Sequence, residues 1–266
     1  MIGIFDSGLG GLSALKEVRR LLPHEDIVYF GDTGRIPYGT RSKETIIKYC
    51  LQDLNFLRSQ GVDAVMVACG TASSNALDAL RASAPDLPIV GVIDSGARAA
   101  ARTSKNKIIG IAGTTATIGS GAFEKKLLEI DGDIKAVSAP CPLFVPLVET
   151  GFVEDDNEIT FLTAKTHLKN IVQSGADALI LGCTHYPIIA GAISRVLPDA
   201  ALINVGAAAA EELCDIISAR TNMDTSHTGS VKYFVSDEPT GFERIASIFL
   251  GEEIRDTVTR IDIEKY

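Results

Sequence analysis

The sequence contains few of the features that mark membrane, secreted or nucleic-acid-binding proteins. It has no run of about 18 apolar residues, so no membrane span is predicted. The first residues, MIGIFDSGLGG, contain neither a basic segment nor a long apolar segment, so a signal peptide is not expected. The net charge is −9 and the 25 Lys and Arg residues do not cluster. This charge pattern disfavours a nucleic-acid or anionic-membrane surface.

Cysteine is sparse, and its pattern argues against disulfides and zinc. The five cysteines, which are Cys50, Cys69, Cys141, Cys183 and Cys214, are odd in number and widely spaced. The C-x-x-C spacing typical of zinc sites does not occur, so no metal site is expected. Free thiols in a reducing cytoplasm are the better interpretation.

The N-terminal IGIFDSGLGGLSAL is an incomplete nucleotide-binding motif. It has the strand, glycine-rich turn and helix of a dinucleotide fingerprint, but the third glycine is missing and the GK[ST] of a P-loop does not follow. Asp6 and Ser7 lie where the predicted strand ends, and the glycines let the backbone and a helix N-terminus approach an anionic ligand. The alternative is an Asp/Ser cap followed by ordinary turn glycines.

The sequence does contain a regular alternation of short apolar runs and amphipathic segments. Strands are predicted at 3–5, 26–30, 64–68, 89–93, 108–112, 134–139, 178–182, 201–204 and 231–236. Helices are predicted at 12–22, 42–59, 74–83, 119–129, 158–174, 187–197 and 207–219. The alternation predicts an α/β fold with largely parallel sheets, in which ligand sites lie beyond the carboxyl ends of the strands.

Two stretches of the chain look like copies of one another, and each supplies a cysteine. They are QGVDAVMVACGT, ending at Thr71, and SGADALILGCTH, ending at His185, and their matched residues lie 114 positions apart. We therefore expect two similar three-layer α/β domains, related by pseudo-symmetry, with the active site at their interface. The first would comprise 1–95 and 206–266 and carry Cys69; the second would comprise 96–205 and carry Cys183.

Two opposed thiols suit a reaction that needs a proton acceptor and a proton donor on opposite faces of a substrate. A lone buried cysteine is more often structural, but the pairing of Cys69 with Cys183 in a repeat favours function. A Cys–His hydrolase built on Cys183 and His185 is the alternative. Neighbours in a chain seldom face each other well, however, and a hydrolase would leave Cys69 unused. Cys50 and Cys214 fall inside helical patterns and are expected in the core.

Polar residues near these cysteines are further candidates. His185 can tune the thiol of Cys183 or act as a cap, and Asp6 can play the corresponding role for Cys69. Glu149, in the proline-rich APCPLFVPLVETG, would pair with a substrate ammonium, orient His185, or be a solvated helix-end carboxylate.

A stiff turn follows the second predicted strand, in FGDTGRIPYGTRS. The amides of Pro37–Gly39 could face a substrate carboxylate, or the segment is an ordinary βα loop.

The chain resembles the cofactor-independent glutamate racemases of the aspartate/glutamate racemase superfamily. The motifs that carry the resemblance are GIFDSGLGGL, FGDTGRIPYGTRS, VACGTAS, GTTATIGS, CPLFVPLVETG and LGCTHYP, and they span nearly the whole chain. The resemblance implies an isomerase that interconverts L- and D-glutamate without a cofactor and supplies D-glutamate for peptidoglycan and cell-wall biogenesis. A racemase for aspartate or another acidic amino acid, and a weakly active amino-acid-binding regulatory relative, are the alternatives. A homodimer is expected.

The resemblance also implies residue roles. Cys69 would take the proton from the D-enantiomer and Cys183 from the L-enantiomer, supported by Asp6, Glu149 and His185. Substrate-binding roles are implied for Asp6, Ser7, Pro37, Tyr38, Gly39, Gly70, Thr71, Thr117, Thr184 and His185. The family's N-terminal extension, linked to activation by a cell-wall precursor, is not expected because the first motif begins at Ile2.

One departure from the family pattern concerns the residue after the first cysteine. The family has Cys-Asn-Thr, whereas this chain has Cys69-Gly70-Thr71. A lost hydrogen bond to a charged group costs roughly 1.5–3 kcal/mol. We therefore expect Gly70→Asn to improve activity towards glutamate, unless a water or another residue such as Asn75 compensates.

Overall fold

A computed structural model of the protein describes residues 1–219, 226–239, 242–252, 254 and 256–266. Its strands are β1 (Ile2–Asp6), β2 (Ile27–Gly31), β3 (Ala64–Val67), β4 (Ile89–Gly91), β5 (Ile108–Gly113), β6 (Lys135–Pro140), β7 (Ala178–Leu181), β8 (Ala201–Asn204), β9 (Val231–Val235) and β10 (Val258–Arg260). Its helices are α1 (Leu12–Leu21), α2 (Lys43–Ser59), α3 (Gly70–Ser83), α4 (Val92–Thr103), α5 (Thr115–Gly119), α6 (Ala122–Ile130), α7 (Phe144–Glu149), α8 (Glu158–His167), α9 (Lys169–Ser174), α10 (Ala190–Val196), α11 (Val205–Ser218) and α12 (Phe242–Leu250). Short 3₁₀ helices lie at Thr33–Arg35, Tyr38–Thr40, Tyr186–Ile189 and Ile263–Lys265.

The strands form two parallel sheets that share one topology. The larger sheet has the order β10-β9-β2-β1-β3-β4 and the smaller sheet β6-β5-β7-β8. The order β2-β1-β3-β4 is therefore repeated as β6-β5-β7-β8, with every pair parallel. The second residues of the two sequence copies, Gly61 and Gly175, both adopt left-handed backbone, with φ of 79° and 73°. The predicted α/β class and the internal repeat are confirmed.

Helices cover the central strands on both faces. Every residue of β1, β2, β3 and β7 is buried, as expected when crossover helices pack on both sides of a parallel sheet. Helices α2 and α3 pack on one face of the larger sheet around the cluster containing Phe56 and Leu57. Apolar side chains of α1, α4 and α11 form a layer that joins the two sheets in one core.

The chain crosses between the sheets twice. After β4, helix α4 packs against strands β7 and β8 of the smaller sheet and against helix α6. After β8, helix α11 returns and packs against α1. The strands of the larger sheet thus come from 2–91 and 231–260, and those of the smaller sheet from 108–204. The domain boundaries at 95/96 and 205/206 stay a prediction.

Several element boundaries differ from the predicted ones. The run IVGVI was predicted as strand to 93, but the strand ends at Gly91 and α4 begins at Val92, because apolar side chains suit either a buried strand or a buried helix. The proline-rich connection contains α7, in which Pro146 occupies the first turn, where a missing N–H costs no intrahelical bond. Strand β10 and helix α12 were not predicted. Among the described residues, no helix is long and apolar enough to cross a membrane.

Candidate active site

Cys69 lies where β3 ends and caps the N-terminus of α3. Its sulfur accepts a hydrogen bond from the backbone N–H of Ala72 at 3.4 Å and lies 3.3 Å from the Ser7 hydroxyl. The side chain is buried, with 6% of the residue exposed. Burial raises the pKa of Cys69 to about 12, and the charge of Asp6 adds to this, against hydrogen bonds from Ser7 and Ala72. The sulfur is therefore held as a thiol in the absence of substrate.

Asp6 and Ser7 stand at the end of β1, beside β3. The Asp6 carboxylate is buried and accepts a hydrogen bond from the N–H of Gly8 at 2.9 Å. Burial raises the pKa of Asp6, opposed by the charge of His185 and by backbone hydrogen bonds from Gly8 and Gly11. Asp6 thus acts on Cys69 through its charge, while Ser7 supplies the side-chain contact.

Cys183 belongs to a chain of three side chains. Its sulfur lies 3.7 Å from Nδ1 of His185, whose Nε2 lies 3.1 Å from Oε1 of Glu149. The 3₁₀ turn at Tyr186–Ile189 starts directly after His185. His185 therefore faces Cys183 although the two are close in the chain, and this contact agrees with the interpretation in which His185 tunes the thiol. Of the three sequence interpretations of Glu149, its position favours the one in which it orients His185.

The protonation of His185 follows from these contacts. Burial lowers its pKa, but the hydrogen bonds to Cys183 and Glu149, with the charges of Cys183 and Asp6, outweigh burial and raise the pKa to about 10. The imidazole is thus protonated near neutral pH and can donate through Nδ1 to the sulfur of Cys183. The ring of Phe249, on α12, packs edge-on against it at 5.1 Å between centroids.

The two halves approach each other through backbone and small residues. A Cβ added to Gly10 would lie 2.4 Å from Oγ1 of Thr184 and from the ring of His185, so only glycine fits there without a shift. The hydroxyl of Ser13 donates to the carbonyl of Thr184 at 2.8 Å. The glycine-rich turn after β1 therefore packs directly on the Cys183 loop.

Gly70 makes the second close approach. A Cβ at Gly70 would lie 2.2 Å from the backbone oxygen of Gly182, the residue before Cys183. This geometry argues against the expectation that asparagine would improve the site at this position, because its Cβ would overlap backbone of the other half. Asn75 does not replace the missing amide either, since its Nδ2 donates to the carbonyl of Thr71 at 2.9 Å and to Ser74 at 3.0 Å.

Three threonine hydroxyls meet at the boundary between the halves. Thr71 Oγ1 lies 3.1 Å from that of Thr114 and 3.5 Å from that of Thr117, and the last two are 2.9 Å apart. Thr71 and Thr117 were predicted from the resemblance; Thr114, which caps α5, was missed. Its position after β5, the counterpart of β1 in the repeat, was a signal that could have identified it.

The Pro37–Gly39 turn lies on the other side of Thr114. The Ile36–Pro37 bond is cis, and a Cβ at Gly39 would come within 3.6 Å of Thr114 Cβ. The Tyr38 side chain is buried. Its hydroxyl lies within hydrogen-bond distance of two carboxylates of the first half, described below, so the part of Tyr38 available to a ligand is its backbone.

The other cysteines differ in their surroundings. Cys50 and Cys141 are fully buried, and burial raises the pKa of each, that of Cys141 to about 12. Cys214 is partly exposed, 3.7 Å from the Ser218 hydroxyl, and packs against the core from its edge, so the prediction that it lies in the core is correct only in part. In the described part of the chain, no cluster of three or more His, Cys, Asp or Glu side chains could hold a metal ion.

Known proteins resemble the chain over almost its whole length. Residues 11–213 match the protein family described as Asp/Glu/Hydantoin racemase. A glutamate racemase of Persephonella marina is 47% identical over 253 residues, which is 95% of this chain and 94% of that protein.

Solved structures agree with the sequence comparison. The glutamate racemase of Francisella tularensis, solved in complex with D-glutamate, superposes with a TM-score of 0.92 at 36% identity, covering 100% of this chain and 98% of that one. The Escherichia coli glutamate racemase, solved with L-glutamate and the activator UDP-MurNAc-Ala, has a TM-score of 0.78 at 26% identity, covering 98% of this chain and 97% of that one.

Proposed function

Because this chain belongs to the Asp/Glu/Hydantoin racemase family, we propose that it interconverts L- and D-glutamate by proton transfer at Cα between Cys69 and Cys183. The observation that carries the proposal is the pairing of these two cysteines in a pseudo-symmetric repeat. Gly70, which follows Cys69, lies directly against Gly182, which precedes Cys183. The similar proteins that bind D- or L-glutamate support the choice of substrate.

The mechanism requires one thiolate and one thiol, which exchange roles with the direction of the reaction. With L-glutamate, the Cys183 sulfur removes the α-proton and the Cys69 thiol donates a proton to the opposite face. With D-glutamate, Cys69 acts as the base. The His185 imidazolium lies 3.7 Å from the Cys183 sulfur, so it would balance the negative charge on that sulfur when Cys183 acts as the base.

The carbanion needs stabilisation without an electron sink. In this proposal, preorganised donors bind the α-carboxylate and water is excluded from the closed cleft. The hydroxyls of Thr71, Thr114 and Thr117 and the N-terminus of α3 are such donors. Ser7 lies 3.3 Å from the Cys69 sulfur and Thr184 directly follows Cys183 in the chain, and both would complete the cleft. No cofactor takes part in this scheme.

The wider setting is also a proposal. D-glutamate made by the protein would supply peptidoglycan synthesis, and five free thiols fit a cytoplasmic location. We propose domains of 1–95 with 206–266 and of 96–205, in line with the two sheets. A homodimer is supported by exposed large apolar side chains on α8, at Ile159 and Leu162. Sedimentation equilibrium measures the mass, and a monomer at micromolar concentration contradicts the dimer.

The experiment follows the optical activity of each glutamate enantiomer over time by circular dichroism. Purified protein without added cofactor is expected to bring both enantiomers to the racemic mixture. Cys69→Ser and Cys183→Ser should each abolish this, because a serine hydroxyl is far too weak an acid to exchange roles with a thiol. Substantial racemisation by either variant contradicts the two-cysteine mechanism. A preference for aspartate, or unchanged traces with both amino acids, contradicts the glutamate assignment.

A further inference from the structure

A buried cluster of charged side chains lies beside the cleft and takes no part in the proton transfers above. Arg35 is 9% exposed, and Asp32 and Asp53 are fully buried. The guanidinium donates from Nε to Asp32 at 2.7 Å and from Nη2 to Asp53 at 2.8 Å. It also stacks on the ring of Tyr49, 4.2 Å from the centroid. We refer to Asp32, Arg35 and Asp53 as the acid–arginine cluster.

The cluster is connected to the Pro37–Gly39 turn through Tyr38. The Tyr38 hydroxyl donates to Oδ2 of Asp32 and lies 3.0 Å from Oδ2 of Asp53. One residue further on, Gly39 faces Thr114 of the other half. Gly39 lies only four residues after Arg35, and the hydroxyl of Tyr38, the residue before Gly39, connects the acid–arginine cluster to this surface of the cleft.

The cluster is itself anchored on the larger sheet. Asp32 directly follows β2, and its Oδ1 accepts a hydrogen bond from the Ser236 hydroxyl, after β9, at 2.7 Å. The same Ser236 oxygen accepts from the N–H of Gly34 at 2.8 Å. Asp53 projects from α2. Three separate elements therefore fix the side chains that hold Tyr38.

Stability alone is a weak reason for such a cluster. Buried ion pairs seldom stabilise a fold more than apolar side chains of similar volume, because desolvation offsets the attraction. Two carboxylates that both contact one guanidinium and one phenol are better explained by a role in holding a side chain in place than by a role in stability. We propose that Asp32, Arg35 and Asp53 are positioning residues that fix the Pro37–Gly39 turn in the conformation that receives the substrate; this rests on the proposed racemase function.

Hydrogen-bond counting distinguishes the members of the cluster. The Tyr38 hydroxyl has one proton to donate and faces two carboxylates, so with both ionised one of its two contacts lacks a proton. An asparagine at position 53 would give each of these three contacts one donor and one acceptor. Its Oδ1 would accept from Arg35, its Nδ2 would donate to the Tyr38 oxygen, and Tyr38 would donate to Asp32. Burial and the charge of Asp32 raise the pKa of Asp53, against the charge of Arg35, in keeping with a proton held there.

The decisive comparison is Tyr38→Phe against Tyr49→Phe. The two rings are 5.6 Å apart, and each variant removes only a hydroxyl, but the Tyr38 hydroxyl alone binds the acid–arginine cluster. Loss of a hydrogen bond to a charged acceptor should raise the KM for glutamate about tenfold in Tyr38→Phe. The kcat should change less than about threefold, because the thiols are held by β3 and β7. Tyr49→Phe should match the wild type.

A second readout does not depend on activity. Hydrogen exchange of peptides covering residues 33–42 in the free protein should be about tenfold faster in Tyr38→Phe and unchanged in Tyr49→Phe. Unchanged exchange and unchanged KM in Tyr38→Phe overturn the positioning role. Equal effects of the two Tyr→Phe variants, or a loss confined to kcat, also overturn it. A wild-type protein that does not racemise glutamate refutes the proposed function. In that case, faster hydrogen exchange in Tyr38→Phe but not in Tyr49→Phe would still show that the acid–arginine cluster fixes the turn.

Discussion

Gly70 offers the sharpest test of how the two halves meet, and Gly70→Ala is the perturbation. The added Cβ would lie 2.2 Å from the Gly182 oxygen, whereas an ordinary carbon–oxygen contact needs roughly 3.4 Å. Both contact atoms are backbone or fixed to backbone, so no side chain can rotate away. The two halves must therefore move apart locally by about 1 Å. Overpacking of this size in protein interiors lowers the free energy of unfolding by about 1–3 kcal/mol.

This displacement falls directly on the reacting groups. Gly70 follows Cys69 and Gly182 precedes Cys183, so separating the two glycines separates the two sulfurs by a similar amount. A misplacement of about 1 Å can cost about 100-fold in rate, equivalent to about 2.7 kcal/mol of barrier. We expect the kcat for both enantiomers to fall between about 10-fold and 100-fold. Gly70→Asn should be at least as harmful, since it adds the same Cβ and more.

The assay combines steady-state racemisation with thermal unfolding. Alanine favours the helix over glycine by up to about 1 kcal/mol, which partly offsets the strain in α3, so the variant should remain folded. Gly132→Ala is the matched control, because an added Cβ there meets nothing within 4 Å. A folded Gly70→Ala variant with wild-type kcat, or a Gly70→Asn variant with higher kcat/KM, would refute the reasoning.

Three other substitutions test the surroundings of the sulfurs. The pKa of His185 is raised from 6.5 to about 10, so protonated His185 stabilises the folded protein fully below about pH 6.5, and this stabilisation is lost as the pH rises through about 10. Glu149→Gln should therefore lower the Tm near pH 6 and have little effect near pH 10.5. A difference in Tm that calorimetry finds to be independent of pH would contradict this. Ser7→Ala removes a contact that lowers the pKa of Cys69, so the ascending limb of the pH profile of kcat/KM for D-glutamate should move to higher pH, and an unmoved limb excludes this role. Cys50→Ser should keep its activity but lose about 1–3 kcal/mol in urea unfolding, because it places a hydroxyl in a fully buried site; inactivity in the folded variant would show that the thiol takes part in the reaction.

Local patterns were enough to predict the architecture and the main candidates. Continuous apolar runs and amphipathic segments indicate parallel strands and their covering helices, because burial acts residue by residue along the chain. The copied segments around Cys69 and Cys183 identified a repeat, which appears as the common order of four strands in each sheet. Errors were concentrated where the local pattern was ambiguous, as at Val92, which begins a helix.

The sequence by itself determined the fold class, the internal repeat and the two cysteines at strand ends, since each depends on neighbours within a few residues. Only the tertiary structure decided how these parts meet. The overlap of a Gly70 side chain with Gly182, the place of Thr114 beside Thr71, and the attachment of Tyr38 to buried carboxylates all join residues from separate elements. Such contacts depend on the distance between two sheets, which no local preference of the chain specifies and which the packing of α1, α4 and α11 fixes.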